Sequence, residues 1–187
     1  MASTPNMQQR HVALLRAVNV GGRNRLPMSD LRAIVEGLGH IEVETYIQSG
    51  NVMFCADARR ATNEQLAAGI HHAIAIATGL DIAVLVRSGA ELADAVRANP
   101  FADPNLEPSK LMVHFLQAIP SAEAIARLEP DRFAPDRFEV VADHLYAYLP
   151  NGQGRSKFTN DYIERRLAVA ATARNLNTVL QLLHLVS

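Results

Sequence analysis

The order of short apolar runs and amphipathic helical patterns is the feature that most constrains the fold of this chain. Strand patterns cover 11–18, 43–48, 52–55 and 82–86, with the hairpin turn Ser49-Gly50-Asn51 between the second and third. One helix begins at Pro27, and another opens with the capping box Thr62-Asn63-Glu64-Gln65. Residues 10–87 therefore have the order β-α-β-β-α-β, which is typical of a ferredoxin-like antiparallel sheet with two helices on one face.

The second half of the chain repeats much of this pattern. A second capping box, Ser88 to Glu91, opens a helix, and strands are predicted at 111–116, 137–142 and 145–149. The predicted order is α-β-α-β-β-α-α. We therefore predict an α+β fold of two ferredoxin-like subdomains with antiparallel sheets, packed as one compact unit. The predicted boundaries are 1–88 and 89–187, with an extra C-terminal helix in the second subdomain.

Composition excludes several classes of protein. The chain has 187 residues and one cysteine, so it has neither an internal disulfide nor a cysteine-based zinc site. No apolar run reaches the length of roughly 20 residues that spans a bilayer, and residues 1–9 lack the apolar stretch of a signal peptide. A single cysteine suits a reducing compartment, so we expect a cytoplasmic protein that does not interact with membranes.

Charge is unevenly distributed along a chain whose net charge is −1. Residues 1–25 carry four arginines and no acid, and residues 150–187 carry five basic side chains against two acidic ones. The intervening residues 26–149 therefore have a net charge of −8. Both basic segments also contain glycine-rich loops, a combination that suits an anionic ligand. The alternative is a chance asymmetry in a chain with few charges.

Three stretches together resemble one protein family. They are RAVNVGGRNRLPMSDLR at 16–32, TYIQSGNVMF at 45–54, and GQGRSKFTN with TARNLNT at 152–160 and 172–178. The chain is similar in these stretches to the bacterial domain-of-unknown-function family 1697. The resemblance implies an α+β protein of two related subdomains and brings no established activity.

The strongest candidate for a binding site is the loop Gly152-Gln153-Gly154-Arg155-Ser156-Lys157, between a predicted strand and a predicted helix. Backbone N–H groups and the positive end of a helix dipole favour an anion at such a position. Arg155 can bind phosphate or carboxylate through two donors, and Lys157 adds a point charge. The loop matches neither a Walker A motif nor a nucleophile elbow. The alternative is an ordinary turn with solvated basic residues.

Other candidate ligand-binding residues lie in three further segments. The complete predicted set is Arg16, Asn19, Gly21, Gly22, Arg23, Ser49, Asn51, Gly154, Arg155, Ser156, Lys157, Arg174 and Asn175. Each has a structural alternative. Arg16, within an apolar strand, needs a carboxylate, a ligand or a strand end in water. The glycine loop and the hairpin turn need positive φ angles, and Asn175 can cap the last helix while Arg174 reaches outward.

No conventional catalytic set is recognisable. The seven histidines have no metal-ligand spacing, no metal site is predicted, and neither a cofactor nor an enzymatic activity can be assigned. The leading hypothesis is a small anionic ligand, phosphate-like or nucleotide-like, bound where the basic glycine loops and the hairpin turn converge. The second is a structural or oligomeric interaction protein whose loops form the subdomain junction. The third, an RNA- or DNA-binding module, is disfavoured by few aromatic residues and a pI near 6.7.

Overall fold

A computed structural model describes residues 8–22, 24–57 and 59–187. Its first sheet has the antiparallel strand order β2-β3-β1-β4, as expected for a ferredoxin-like unit. The elements are β1 (Gln8–Leu15), α1 (Met28–Gly37), β2 (Ile41–Tyr46), β3 (Asn51–Asp57), α2 (Asn63–Thr78) and β4 (Val84–Ser88). The predicted β-α-β-β-α-β order of residues 10–87 is confirmed.

The second sheet has the equivalent order β6-β7-β5-β8, again antiparallel throughout. Its elements are β5 (Leu111–Leu116), α4 (Ala122–Ala126), β6 (Arg137–Val141), β7 (His144–Tyr148), α5 (Asn160–Leu167) and β8 (Ala171–Asn175). Helix α3 (Gly89–Arg97) follows β4, and helix α6 (Leu176–Val186) follows β8. Both sheets belong to β-α-β-β-α-β arrangements, which confirms the predicted α+β fold class.

The chain divides into two compact units, and the first of them is built from two separate segments of the sequence. The first unit is Met1–Leu92 with Leu182–Ser187, and the second is Ala93–Gln181. The helix side of the first sheet packs a core that includes Leu15, Phe54 and Ile70. The corresponding core of the second sheet includes Leu145 and Ile163.

Local capping explains where the helices begin. The Thr62 side chain accepts a hydrogen bond from the Gln65 N–H, and the Thr62 N–H donates to the Gln65 side chain, as the capping box predicts. Helix α5 begins in an equivalent way, because Thr159 accepts from the Tyr162 N–H. In both units the threonine is followed by asparagine, Asn63 in one and Asn160 in the other. The second helix of each unit therefore starts with the same two residues.

Strand β8 was not predicted from the sequence. The segment Ala171–Asn175 reads ATARN, in which two alanines favour helix over strand. Pairing with β5 determines its conformation, with Ala171 opposite Leu116 and Asn175 opposite Met112. The second half thus repeats the first more completely than its sequence suggested.

Two smaller predictions were wrong by a few residues. Strand β1 ends at Leu15 rather than at position 18, so Arg16 follows the strand instead of lying inside it. The second hairpin turns at Ala142-Asp143, with Ala142 at a φ of 52°, while His144 already belongs to β7. Among the described residues, no helix is long and apolar enough to cross a membrane.

Gly50 is the glycine whose replacement we expect to be most costly. It has a φ of +72°, and an added Cβ would lie 2.8 Å from the Leu15 Cβ and 3.2 Å from the Val18 Cβ. We expect Gly50→Ala to lower the free energy of unfolding by about 3 kcal/mol, from backbone strain and overpacking together. Gly79→Ala is the matched control, since Gly79 has the same φ and open space around it. The control should lose about 1 kcal/mol in chemical denaturation, and equal losses in both variants would contradict this packing.

Candidate functional site

The predicted site residues of the first unit form a hydrogen-bonded group of loops at one end of the first sheet. The Asn19 side-chain N–H donates to the carbonyls of Leu26 (2.9 Å) and Gln48 (3.0 Å), and its Oδ1 accepts from the Leu26 N–H (3.0 Å). Asn19 therefore joins the segment between β1 and α1 to the segment between β2 and β3. Its amide is fully engaged in holding two loops together.

The hairpin turn of the first unit is also held by its own polar groups. The Asn51 side chain is buried and donates to the Tyr46 carbonyl and to the Ser49 hydroxyl, each at 3.0 Å. The Leu15 N–H donates to the Gly50 carbonyl at 2.9 Å. Ser49 and Asn51 thus stabilise the turn, in agreement with the structural alternative to a ligand role.

The remaining predicted residues of this loop group are Arg16, Gly21, Gly22 and Arg23. Arg16 is half-buried just after β1, and its N–H donates to the Ala83 carbonyl at 2.9 Å. Gly21 and Gly22 are exposed, with φ angles of +58° and +76°. The two glycines therefore meet the conformational need of the loop. Arg23 lies outside the described residues.

The glycine-rich loop of the second unit differs from its predicted form. Gln153–Arg155 forms a 3₁₀ turn, and helix α5 begins only at Asn160, after the Thr159 cap. The N–H groups of Arg155 and Ser156 donate to carbonyls within the loop, to Gly152 and Gln153 respectively. The sequence predicted that the N–H groups of this loop are free to bind an anion at the start of the helix. The N–H groups of Arg155 and Ser156 are not free, because they are used within the loop.

A single serine connects this loop to the segment that precedes β6. The Ser156 hydroxyl donates to the Asp136 carboxylate at 2.5 Å and accepts from the Phe158 N–H at 2.9 Å. Asp136 is buried, and its own N–H donates to the Phe133 carbonyl at 2.8 Å. Ser156 is therefore a positioning residue that fixes the loop on either side of it.

The side chains next to Ser156 remain exposed at the edge of a cleft. Arg155 and Lys157 line a cleft of about 290 Å³ together with Arg132, Asp136 and Asn151. Arg132 is paired with Glu129 at 2.8 Å. Among the described residues, neither Arg155 nor Lys157 has a hydrogen-bonding or ion-pairing partner for its charged group. The cleft thus presents two basic groups without an ion-pair partner among the described residues, beside the single carboxylate of Asp136.

The side chains of Arg174 and Asn175 make hydrogen bonds within the fold. Arg174 is buried instead of reaching outward, and it donates to the Thr172 hydroxyl (2.9 Å) and the Ala173 carbonyl (2.8 Å). Burial lowers the pKa of Arg174 to about 10. The Asn175 side chain accepts from the Thr178 N–H at 2.9 Å and caps α6, as its alternative interpretation predicted.

The two glycine loops occupy opposite ends of the β-α-β-β-α-β arrangement. The loop with Gly21 and Gly22 follows the first strand of its unit, whereas the loop with Gly152 and Gly154 follows the third strand of the other unit. The first and third strands are antiparallel in each unit, so the segments that follow them leave the sheet at opposite ends of the strands. The predicted set therefore contains two kinds of loop, and their convergence on one pocket stays a prediction.

Three polar residues of the cleft lining are missing from the set predicted from the sequence. Arg132 and Asp136 precede β6, and Asn151 lies between β7 and the glycines. Arg132 and Asp136 are about 20 residues from the glycine loop and belong to no motif, so only tertiary structure identifies them. Asn151 adjoins Gly152 and was the one with a sequence signal.

The described residues hold no group of three or more His, Cys, Asp or Glu side chains suited to a metal ion.

Fold and cleft together define a two-unit α+β protein with an exposed basic loop after the third strand of its second sheet. A family model described as "Protein of unknown function (DUF1697)" matches residues 7–146. The chain belongs to this family, which confirms the resemblance found in its sequence.

One solved structure similar to this chain is that of the conserved bacterial protein SP0830 from Streptococcus pneumoniae. The two are 20% identical, with a TM-score of 0.73, and the match covers 96% of this chain and 99% of the other. At this identity the similarity establishes the fold. No curated protein matches the chain in sequence.

A buried histidine lies next to the start of α5. The His114 ring Nδ1 is 3.2 Å from the Asn160 Oδ1, and the Asn160 side-chain N–H donates to the Ala171 carbonyl at 2.9 Å. Because that amide nitrogen is the donor, Oδ1 is the acceptor for the His114 N–H. His114 thus links β5 to α5 and is structural.

We expect His114 to make the protein less stable in acid. Burial lowers its pKa to about 4, from a usual value of 6.5. Between these pH values the unfolded chain takes up a proton that the folded chain does not, so the free energy of unfolding falls as pH falls. The loss from this group should reach about 3 kcal/mol by pH 4 and be absent at pH 7.

Chemical denaturation of the wild type and His114→Gln at pH 7, 5.5 and 4 measures this contribution. The variant should lack that part of the pH dependence, while all other titrations stay common to both proteins. Parallel pH profiles for the two proteins would show that His114 is not buried in its neutral form.

Proposed function

We propose that the protein binds a small phosphate-bearing ligand in the cleft of its second unit. The observation that carries this proposal is the pair Arg155 and Lys157, whose exposed charged groups have no partner among the described residues and line one cleft. Basic side chains that are held at a concave surface without an ion-pair partner favour an anion there.

The chemistry of the two side chains favours phosphate. A guanidinium binds two phosphate oxygens at once, and an ammonium adds a compact charge on the same group. The cleft lining also includes the carboxylate of Asp136, which accepts the Ser156 hydroxyl and keeps its negative charge, so Arg155 and Lys157 leave one positive charge in excess. Since Ser156 also anchors the loop, Arg155 and Lys157 extend from a backbone that is fixed before a ligand arrives.

The size of the cleft favours a small ligand. Its volume of about 290 Å³ lies at the lower end of the range for ligand pockets. The cleft therefore suits a phosphate with a short polar body better than a complete nucleotide.

The sheet surfaces offer little support for the nucleic-acid alternative. Binding of RNA to a ferredoxin-like sheet relies on exposed aromatic rings that stack on bases. Phe54, Phe115 and Tyr146 are each at most 1% exposed. These three rings therefore pack in the interior, while Tyr46, Phe138 and Tyr148 are half-buried strand residues.

Isothermal titration calorimetry with glycerol 3-phosphate at low ionic strength tests the proposal, with glycerol as the uncharged control. Arg155→Ala and Lys157→Ala should each weaken binding by about tenfold, because each removes a charge-assisted contact. Arg127→Ala is the matched control, since Arg127 is exposed in the same unit and does not line the cleft. It should bind like the wild type.

Thermal unfolding of the same variants separates a binding role from a structural one. Exposed side chains without partners change stability by less than about 0.5 kcal/mol, so both variants should melt like the wild type. A large loss of stability in Arg155→Ala would favour the structural hypothesis. An equal loss of binding in Arg127→Ala would reduce the effect to general electrostatic attraction.

A further inference from the structure

The first unit contains a larger cleft at the end of its sheet that includes Gln8 and Asp57. Its volume is about 470 Å³, and its lining includes Leu38, His40, Arg59, Arg60 and Leu66. This volume is well within the range for small-molecule sites. The cleft lies at the opposite end of β1 from Asn19 and the hairpin turn, so it is separate from the predicted site residues Asn19, Ser49 and Asn51.

The charged groups of this cleft leave one positive charge in excess. Arg59 binds Asp57 through two contacts, Nε to Oδ1 at 3.2 Å and Nη2 to Oδ2 at 3.3 Å, and Arg60 Nε lies 3.3 Å from the same Oδ2. The Arg59 hydrogen bonds hold the pKa of Asp57 below its usual value, so the carboxylate stays ionised. Two guanidiniums thus share one carboxylate and keep further N–H donors for a second one.

The rest of the lining combines polar groups, such as Gln8, with an apolar face. Leu38 and Ala61 are the more exposed residues of this face, and Ala56 and Leu66 are buried. The His40 ring packs on Phe54 with 4.6 Å between ring centroids. Burial lowers the pKa of His40, so the ring is uncharged at neutral pH and adds no further positive charge. An apolar face beside a single excess positive charge matches a ligand with an apolar body and one negative charge.

The position of the cleft in the fold recurs in the second unit. In the first unit the cleft lies between the α1–β2 connection, with His40, and the β3–α2 connection, with Arg59. In the second unit it lies between the α4–β6 connection, with Asp136, and the β7–α5 connection, with Arg155. Each cleft has two basic residues on the connection that follows the third strand, and an aspartate. The recurrence of this arrangement in two units argues against an accidental surface depression.

We propose that the cleft of the first unit binds a monocarboxylate with an aliphatic or aromatic body. The carboxylate lies at Arg59 and Arg60, and the body lies against Leu38 and Leu66. This proposal does not depend on whether the second cleft binds a phosphate, because the two clefts share no lining residue and their proposed ligands differ.

Two-dimensional ¹H–¹⁵N NMR titration of the full chain with 4-phenylbutyrate tests this site. We expect saturable shifts at the amides of Gly39, Arg59 and Ala61. The variants Arg60→Ala and Arg59→Ala/Arg60→Ala should weaken binding, the double variant by tenfold or more. Arg32→Ala is the matched control, since Arg32 is another exposed, ion-paired arginine of the first unit outside the cleft.

Two further probes separate the parts of the proposal. 4-Phenylbutylamine has the same body with the opposite charge and should not bind. Inorganic phosphate lacks the apolar body and should shift these amides less than 4-phenylbutyrate does. Equal responses to the amine, stronger binding of phosphate, or unchanged binding in the double variant would each overturn the proposal. Shifts confined to the amides near Arg155 would also overturn it, while supporting the separate site in the second unit.

Discussion

The threonine cap at the start of the second helix in each unit is the constraint on which both clefts depend. Thr62 and Thr159 each accept a backbone N–H of the first helical turn, which fixes the residue at which the helix begins. The third strand of each sheet is held in register on the other side of the connection. The basic residues between strand and cap therefore occupy a short segment whose two ends are both fixed.

The two units differ in the length of this connection, and the difference sets the chemistry of each cleft. Only positions 58–61 lie between β3 and Thr62, whereas positions 149–158 lie between β7 and Thr159. In the short connection, Arg59 and Arg60 fold back onto Asp57 at the end of the strand. The long connection turns through Gly152, at a φ of +82°, and within the described part of the chain Arg155 has no such partner. One arrangement of strands and helices thus presents a cleft whose two arginines are ion-paired to an aspartate, and a cleft whose two basic side chains are not ion-paired among the described residues.

The order of elements could be predicted from the sequence because capping boxes, a glycine turn and apolar periodicity act locally. Thr62, Ser88 and Asn175 cap their helices by bonds to residues three positions away, so short patterns identify them. Strand β8 could not be predicted in this way, because pairing with β5 outweighs the helix preference of its alanines. Where an element forms through distant partners, local patterns do not determine it.

The sequence could predict which loop carries the candidate site, but it could not predict which other residues line the cleft. Glycine next to Arg155 and Lys157 indicated an exposed basic turn, which is what the structure contains. The same kind of signal at Asn19 led to a loop whose polar groups hold the fold together. Residue types alone do not distinguish these two outcomes, because the partner of each side chain lies far away in the sequence. The roles of Asp136 and Asp57 follow only from the side chains that the fold places beside them, Ser156 and Arg59 respectively.

A crystal structure of the protein grown with sodium tungstate would test most directly whether the connection after the third strand of the second unit holds an anion. Tungstate has the tetrahedral shape and charge of a phosphate dianion, and its anomalous scattering locates it without ambiguity. We expect tungstate within hydrogen-bonding distance of the Arg155 and Lys157 side chains, and its displacement by glycerol 3-phosphate. An empty cleft in crystals where it is open to solvent, with tungstate bound at other arginines, would show that this connection does not bind an anion.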